Sequence, residues 1–543
     1  MSFLLDIQNL NISFPEKNGG KTPVLSDVSF SMEKGEILGL IGESGSGKTM
    51  TALAIADLLP AEAVVESGKI LFHGQDLRTE EKKQRRQRLG REITMIFQEP
   101  LSALDPIQPI HKQLKEIYKA HRRQKHISLE EALTNVGFSN PDEILRAYPH
   151  QLSGGQRQRV LIAGSLLLYP DLLIADESTT ALDTITQQQI LSLLKDLSAK
   201  YHIGILFISH NLLLVRDFCH RVLLFDHDKI TDAGNPDQIL QKHLAPEEID
   251  FNDRIYDFFT HRKFKDPVLP EQNPILELKN ISAGYTLSLQ SKEKDNDLIL
   301  KNICFSLYPG EIKGVVGVSG GGKTTLARII TGLLPAQNGE IYLDGKLHAS
   351  FHHGKTDRQI SRQKKSGRLS IGMIFQDPYQ SLHPYMKIGR LLEEPLRADK
   401  TKTKITRREA GEAVLHRLEE VGLSAHYLDF YPFQLSGGQR QRVSIALNLM
   451  RSPSILVADE PLSSVDLPTQ LQLLQLLEKL QKKHGFSLLL ISHDLHVVKA
   501  LCQSICVIED GRIVEDANTK DVFLHPAQDT TKKLLRANPW LDE

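Results

Sequence analysis

The stretch GEILGLIGESGSGKTMTALAIADLLP occupies Gly35–Pro60. Gly35–Gly42 is a short apolar run with the length of a buried strand. A glycine-rich turn follows, and the residues from Lys48 have helical spacing that stops at Pro60. Further apolar runs of buried-strand length, DLLIADE at Asp171–Glu177 and GILFISH at Gly204–His210, come later. Buried strands alternating with helical segments predict an α/β fold with a mainly parallel sheet.

The pattern occurs twice. GESGSGKT at Gly42–Thr49 returns as GVSGGGKT at Gly317–Thr324, and MIFQEP at Met95–Pro100 as MIFQDP at Met373–Pro378. LSGGQRQRV stands unchanged at Leu152–Val160 and Leu435–Val443. LLIADE (Leu172–Glu177) matches ILVADE (Ile455–Glu460), and the ISH ending at His210 matches the one ending at His493. The offset grows from 275 to 283 positions between the first pair and the last, so small early insertions separate two copies of one domain. The expected division is residues 1–240, a linker at 241–274 and residues 275–543. The linker is charged and broken by prolines, and the aromatics in DRIYDFF predict that part of it packs.

Bulk properties narrow the possibilities. A chain of 543 residues is too long for one core. With 66 Lys and Arg against 67 Asp and Glu, the net charge is −1, and no global basic field points to nucleic acid. The basic runs Lys82–Arg91 and Ser361–Arg368 read as solvated faces. Four cysteines without a C-x-x-C pair fit a reducing compartment. The N-terminal MSFLLDIQNLNISF lacks the basic region and long apolar core of a signal peptide. The longest apolar runs fall short of the roughly 20 residues that span a bilayer.

Gly42-x4-Gly47-Lys48-Thr49 and Gly317-x4-Gly322-Lys323-Thr324 have the spacing of a phosphate-binding loop. Backbone N–H groups turn toward one anion there, and the helix N-terminus adds positive potential. Ser44, Gly45, Ser319 and Gly320 lie within these loops. Lys48 and Lys323 are expected to reach the β- and γ-phosphates, and Thr49 and Thr324 to ligate Mg²⁺. Asp176 and Asp459 end apolar strands, where a carboxylate can hold the same ion. Glu177 and Glu460, next in sequence, suit a general base for water. Gln98 and Gln376 follow strands and can touch Mg²⁺ or the water. His210 and His493 can sense the γ-phosphate. Ser153-Gly154-Gly155-Gln156 and Ser436-Gly437-Gly438-Gln439 form a second phosphate-contacting turn in each copy. A spare turn beside each phosphate loop implies that each copy reads the nucleotide held by the other, as in a head-to-tail pseudo-dimer.

Together these motifs resemble the ATP-binding cassette (ABC) ATPases over nearly the whole chain. The resemblance implies two tandem P-loop NTPase domains, each with a mainly parallel core sheet, an antiparallel β subdomain and a helical subdomain. It implies ATP and Mg²⁺ as ligands, adenine stacking on Phe14 and Tyr285, and D-loops at Thr180–Asp183 and Ser463–Asp466. It implies that Lys48 pairs with Ser436–Gln439 and Lys323 with Ser153–Gln156. More narrowly, IFQEPLSALDP, IFQDPYQSLHP, YPHQLSGGQRQRV and DESTTALD are similar to the dipeptide, oligopeptide and nickel importer branch. The fused pair looks most like the microcin C and oligopeptide import ATPases, and LHPAQDTTKKLL (Leu524–Leu535) resembles that branch's C-terminal segment.

That branch implies two integral-membrane permease partners and, indirectly, an extracytoplasmic solute-binding protein, at the cytoplasmic face of a bacterial inner membrane. Glu99–Ile110 and Asp377–Ile388 would form grooves for the permeases. Four departures stand out: Ser178 and Leu462 replace the usual Pro and Thr after the acidic pair, Val318 and Gly321 the usual Glu and Ser of the loop. The first half also lacks a C-terminal segment like that of the second. None removes a catalytic group. The alternative is a soluble twin-cassette ATPase acting on ribosomes or nucleic acid.

Overall fold

Strand β3 (Ile37–Gly42) is buried from Ile37 to Ile41, with covered neighbours on both faces. Alternate residues serve two cores: Ile37 and Ile41 join one apolar cluster, Leu38 and Leu40 the other. A strand buried on both faces belongs at the centre of a parallel sheet, and β3 lies there. The computed structural model describes residues 3–16, 20–42, 45–97, 103–120, 127–176, 184–209, 212–243, 264–266, 273–284, 298–318, 320–352, 355–356, 370–398, 406–462, 465 and 467–537. The chain forms two units, one of Met1–Leu182 and Thr186–Asn252 and one that includes Asp253–Glu543.

In the first unit, β1 (Leu5–Pro15), β2 (Lys21–Met32), β4 (Val64–Phe72) and β5 (Gln75–Asp76) make an antiparallel sheet in the order β2-β1-β4-β5. The second sheet runs β10-β9-β3-β8-β7-β6, with β6 (Ile93–Ile96), β7 (Leu172–Asp176), β8 (Gly204–Ile208), β9 (Arg221–Asp226) and β10 (Lys229–Gly234). All neighbours in it are parallel except the β9–β10 edge pair. Helix α1 (Lys48–Ile55) packs with the antiparallel sheet on one face of the parallel sheet. After α2 (Lys82–Arg88), helices α3 (Ile110–Ala120), α4 (Leu129–Asn135) and α5 (Pro141–Arg146) form a helical layer joined to α6 (Gly154–Leu166). Helices α7 (Thr184–Tyr201), α8 (Leu212–Phe218) and α9 (Pro236–His243) complete the unit. Gly39 lets α8 approach closely, since a Cβ there would sit 2.8 Å from Val215 Cγ1.

The second unit repeats this plan. Its antiparallel sheet runs β12-β11-β14-β15-β16, from β11 (Leu276–Ala283), β12 (Leu300–Leu307), β14 (Asn338–Leu343), β15 (Lys346–His352) and β16 (Lys355–Thr356). The parallel sheet runs β17-β18-β19-β13-β20-β21, with β13 (Ile312–Gly317), β17 (Ile371–Ile374), β18 (Ile455–Asp459), β19 (Ser487–Ile491), β20 (Ser504–Glu509) and an antiparallel edge strand β21 (Arg512–Asn518). The helices are α10 (Lys323–Ile330), α11 (Ile388–Ala398), α12 (Arg407–Glu420), α13 (Gly437–Leu449), α14 (Leu467–His484), α15 (Leu495–Leu501), α16 (Thr519–Leu524) and α17 (Asp529–Arg536).

Some local readings move. Helix α1 ends at Ile55, not Pro60, because Asp57 turns left-handed (φ 54°) and closes the helix, with Leu58 N–H donating to Leu53 O at 2.8 Å. Gly332 does the same after α10, where Leu333 N–H donates to Arg328 O. Of the expected linker, α9 runs to His243, DRIYDFF lies outside the described residues, and Phe264–Asp266 is described farther along. There Phe264 meets Phe523 with ring centroids 5.9 Å apart, and Lys265 pairs with Glu478 at 3.2 Å. Two cations of the basic run of α2 are paired within its own unit: Arg85 with Asp57 and Arg88 with Glu80. Cys502 and Cys506 are buried thiols, and burial pushes both up.

Candidate active sites

The two glycine-rich loops are built alike. Gly42 and Gly317, at the ends of β3 and β13, adopt φ of 144° and 149°. A side chain there would collide with the neighbouring strand, 2.2 Å from Phe225 O and 2.1 Å from Ile508 O. Gly47 and Gly322 cap α1 and α10 in the left-handed region, which costs a glycine least. The lysines that follow are buried, and each ammonium folds onto its own loop. Lys48 Nζ donates to Gly42 O (2.9 Å) and Ser46 Oγ (3.2 Å), and Lys323 Nζ to Gly317 O (2.7 Å) and Val318 O (3.1 Å). These bonds hold a charge where the loop's N–H groups converge, the arrangement a polyphosphate needs.

Next to each lysine, a threonine reaches a strand-end carboxylate. Thr324 Oγ1 donates to Asp459 Oδ1 at 3.2 Å, and Thr49 Oγ1 to Asp176 Oδ1 at 3.4 Å. Asp459 is 3 % exposed. Burial pushes its carboxyl up and the Glu460 charge adds to this, while Thr324, Arg328 and Lys323 pull down less strongly. A buried carboxylate whose ionised form is disfavoured, beside a hydroxyl, suits a hard cation. The oxygen donors Thr324 and Asp459, and Thr49 and Asp176, fit Mg²⁺. Among the described residues no group of three or more His, Cys, Asp and Glu could hold a metal ion.

In the second unit the chemistry assembles around Glu460. Its backbone is left-handed (φ 45°), and its N–H donates to Ile491 O at 3.0 Å. The side chain thereby leaves the strand direction and accepts from Gln376 Nε2 at 2.9 Å. Its other oxygen lies 3.4 Å from His493 Nδ1. Burial would raise the Glu460 carboxyl, but His493 and Lys323 outweigh it and hold it below the usual carboxylate range. Burial would lower the His493 imidazole, but its bond to Glu460 holds it above the usual range. The sequence-predicted Gln376, Asp459, Glu460 and His493 therefore converge with Thr324 and Lys323. Their counterparts Gln98, Glu177 and His210 lie outside the described residues, as do Ser44, Ser319, Tyr285, Thr180–Asp183 and most of Ser463–Asp466.

The repeated nine residues hold a second finding. Ser153 caps α6 and Ser436 caps α13, each in a reciprocal capping box. Ser153 Oγ accepts from Gln156 N–H, and Gln156 Oε1 accepts from Ser153 N–H at 2.9 Å. Ser436 and Gln439 repeat both bonds. The side chains expected to touch phosphate are thus tied to their own helix start. The intrahelical pattern gives the N–H groups of Gly154, Gly155, Gly437 and Gly438 no acceptor, leaving them to meet an anion. Gly155 and Gly438 also admit a neighbour, since a Cβ would meet Thr186 Cγ2 at 2.4 Å and Thr469 Cγ2 at 2.5 Å.

Sequence reasoning missed Arg159 and Arg442. Arg159 links Val136 O (3.1 Å) to Gln189 Oε1 (2.8 Å), and Arg442 links Val421 O (2.8 Å) to Gln472 Oε1 (3.0 Å). They fix the signature helix between the helical layer and α7 or α14. The letter-for-letter repeat was the available signal. Phe14 sits half-buried on β1, paired with Thr22 on the strand whose Leu25 packs against Gly47.

The family model described as ABC transporter matches residues 25–180 and 300–463. The chain is 39 % identical to an uncharacterized ABC transporter ATP-binding protein, YejF, of Escherichia coli, over 98 % of this chain and 99 % of that protein. It is 39 % identical to the peptidoglycan transport ATP-binding protein YejF of Agrobacterium fabrum, over 98 % and 96 %. It is 34 % identical to the glutathione import ATP-binding protein GsiA of Pectobacterium atrosepticum, over 99 % and 90 %.

Proposed function

Because the chain belongs to the ABC transporter family and carries its ATP-binding domain twice, we propose that it powers an importer of peptides or peptide-like compounds. ATP binding and hydrolysis coupled to transport are the family's activity. The cargo class rests on relatives named for peptidoglycan and glutathione, both of which contain amide-linked amino acids. The observation that carries the catalytic assignment is the convergence of Thr324, Asp459, Gln376, Glu460 and His493 beside the Lys323 loop.

In this reading Lys48 and Lys323, with the loop N–H groups, bind the β- and γ-phosphates of ATP. Mg²⁺ would be held by Thr49 and Asp176 or by Thr324 and Asp459, and would supply positive charge to the phosphates. Gln98 and Gln376 orient the attacking water. Glu177 and Glu460 accept its proton as the water oxygen bonds to the γ-phosphorus. The bond from that phosphorus to the β–γ bridging oxygen breaks, and its electron pair leaves with ADP. Glu460 is suited to this because it is ionised at neutral pH and already accepts a hydrogen bond from Gln376. His210 and His493 supply a proton donor toward the γ-phosphate. Phe14 and Tyr285 stack on adenine.

The partners are two integral-membrane permeases, fed by a solute-binding protein, with this chain on the cytoplasmic face of the inner membrane. No helix among the described residues is long and apolar enough to cross a membrane. The segment Asp377–Ile388 presents Tyr385, 83 % exposed, and Tyr379, 43 % exposed, apolar surface of the kind a permease segment would cover. Affinity purification from detergent-solubilised host membranes, followed by mass spectrometry, tests the reading. Two polytopic permeases are expected. Ribosomal proteins or DNA without permeases would replace the importer with the twin-cassette alternative.

A further inference from the structure

Two buried amides in the signature helices have no use in the scheme above. Gln158 on α6 is 0 % exposed and Gln441 on α13 is 1 % exposed. In both, the side-chain nitrogen and oxygen lack a hydrogen-bond partner among the described residues. An orphaned buried amide costs stability, and the same cost occurs at the same place in both copies of the domain.

The neighbours of Gln441 indicate what it is for. Residues 441, 444 and 448 share one face of α13. Asn448 Oδ1 on that face accepts from Met373 N–H at 2.9 Å, in the strand that leads to Gln376. Ser444 Oγ lies 3.1 Å from Ser381 Oγ, just beyond Gln376. On the adjoining surface Arg440 covers the Tyr379 ring at 4.5 Å. The face therefore follows the chain on both sides of the catalytic-site glutamine, and Gln441 extends it one turn toward the Ser436 cap. In the first unit Leu161 and Ser165 replace Ser444 and Asn448, and Ser165 Oγ bonds within its own helix to Leu161 O. The polar ladder is gone there, yet the buried amide is retained.

Resting on the ATPase reading, we propose that Gln158 and Gln441 are positioning residues. When ATP draws Gln376 inward, the segment after it shifts along α13, and the buried Gln441 amide takes up a backbone hydrogen bond from that segment; Gln158, at the repeated position, serves the first copy alike. Occupancy of the phosphate site is thereby transmitted to the helix that begins with Ser153 or Ser436. The unpartnered amide is the resting half of a two-position contact.

Gln158→Met with Gln441→Met, in the full-length chain, tests this, because methionine matches glutamine in length and shape without its polar atoms. The double variant is expected to unfold at the same or a higher temperature. Its KM for ATP rises about tenfold, the size expected of losing one hydrogen bond per site that forms when ATP binds. Added Mg-ATP protects residues 377–388 from hydrogen–deuterium exchange in the wild type and fails to do so in the variant. Unchanged KM and protection would overturn the proposal. So would a lowered unfolding temperature, which would show the amides already satisfied at rest. Wild-type turnover measured alongside tests the ATPase reading separately.

Discussion

The carboxylate of Glu460 accepts a hydrogen bond from the Gln376 amide across 2.9 Å, although 84 residues separate them in the chain. The contact joins the ends of β17 and β18, parallel neighbours whose C-terminal ends open on the same edge. In the proposed base role, a carboxylate already oriented by an amide and flanked by His493 needs little reorganisation to receive a water proton.

Replacing both proposed general bases, Glu177→Gln with Glu460→Gln, should lower turnover by about 10²–10⁴-fold while ATP still binds. The amide keeps the shape and loses the proton acceptor. Turnover in a coupled-enzyme assay, with bound nucleotide measured by filter retention, checks this; undiminished turnover removes both residues from the base role.

Thr324→Val removes the hydroxyl beside Asp459 without changing side-chain shape. The Mg²⁺ concentration for half-maximal turnover at that site should rise about tenfold, from loss of one oxygen ligand. The measurement is a Mg²⁺ titration in a Lys48→Ala background, which silences the first site. An unaltered Mg²⁺ requirement would mean that the hydroxyl serves Asp459 alone.

Ser436→Ala removes the cap of α13 and should destabilise the second unit by about 1 kcal/mol, with Ser436→Thr restoring most of it. Calorimetry reads the shift. If turnover falls further than the lost stability explains, Ser436 contacts phosphate in addition to capping its helix.

Glu420 ties α12 to α14 through Lys483 and His484, with Arg417 and His416 also facing it. Burial would raise its carboxyl, but Lys483, Arg417 and His484 hold it below its ordinary value of 4.5. A carboxyl lowered by folding stabilises fully above that ordinary value and loses the contribution as pH falls through the folded one. Glu420→Gln should therefore unfold earlier than wild type at neutral pH, with the gap closing as pH drops below about 4.5. A gap independent of pH would assign the loss to packing.

Much of the site was readable in one dimension because its geometry is local. A glycine-rich turn between a buried strand and a helix cannot place Lys48 or Lys323 far from the helix N-terminus, so residue spacing specified both loops. Ser153 and Gln156 were legible in another sense: a serine three residues before a glutamine also spells a capping box. The reading favoured phosphate contact, and the structure adds the cap. Arg442 and Gln441 escaped because their roles depend on what lies opposite them, and helical spacing does not reveal that.

The order of motifs and their repetition established two α/β units, each with a phosphate loop, an acidic strand end and a signature turn. Those features follow from short-range sterics and from hydrophobic periodicity, which act within one turn or one strand. Folding in three dimensions settled which groups meet. Thr324 reaches Asp459 across 135 residues because β18 lies two strands from β13 in the sheet order. The ionisation of Asp459, Glu460 and His493 was settled there too, since burial and neighbouring charge arise only when distant segments pack and exclude water.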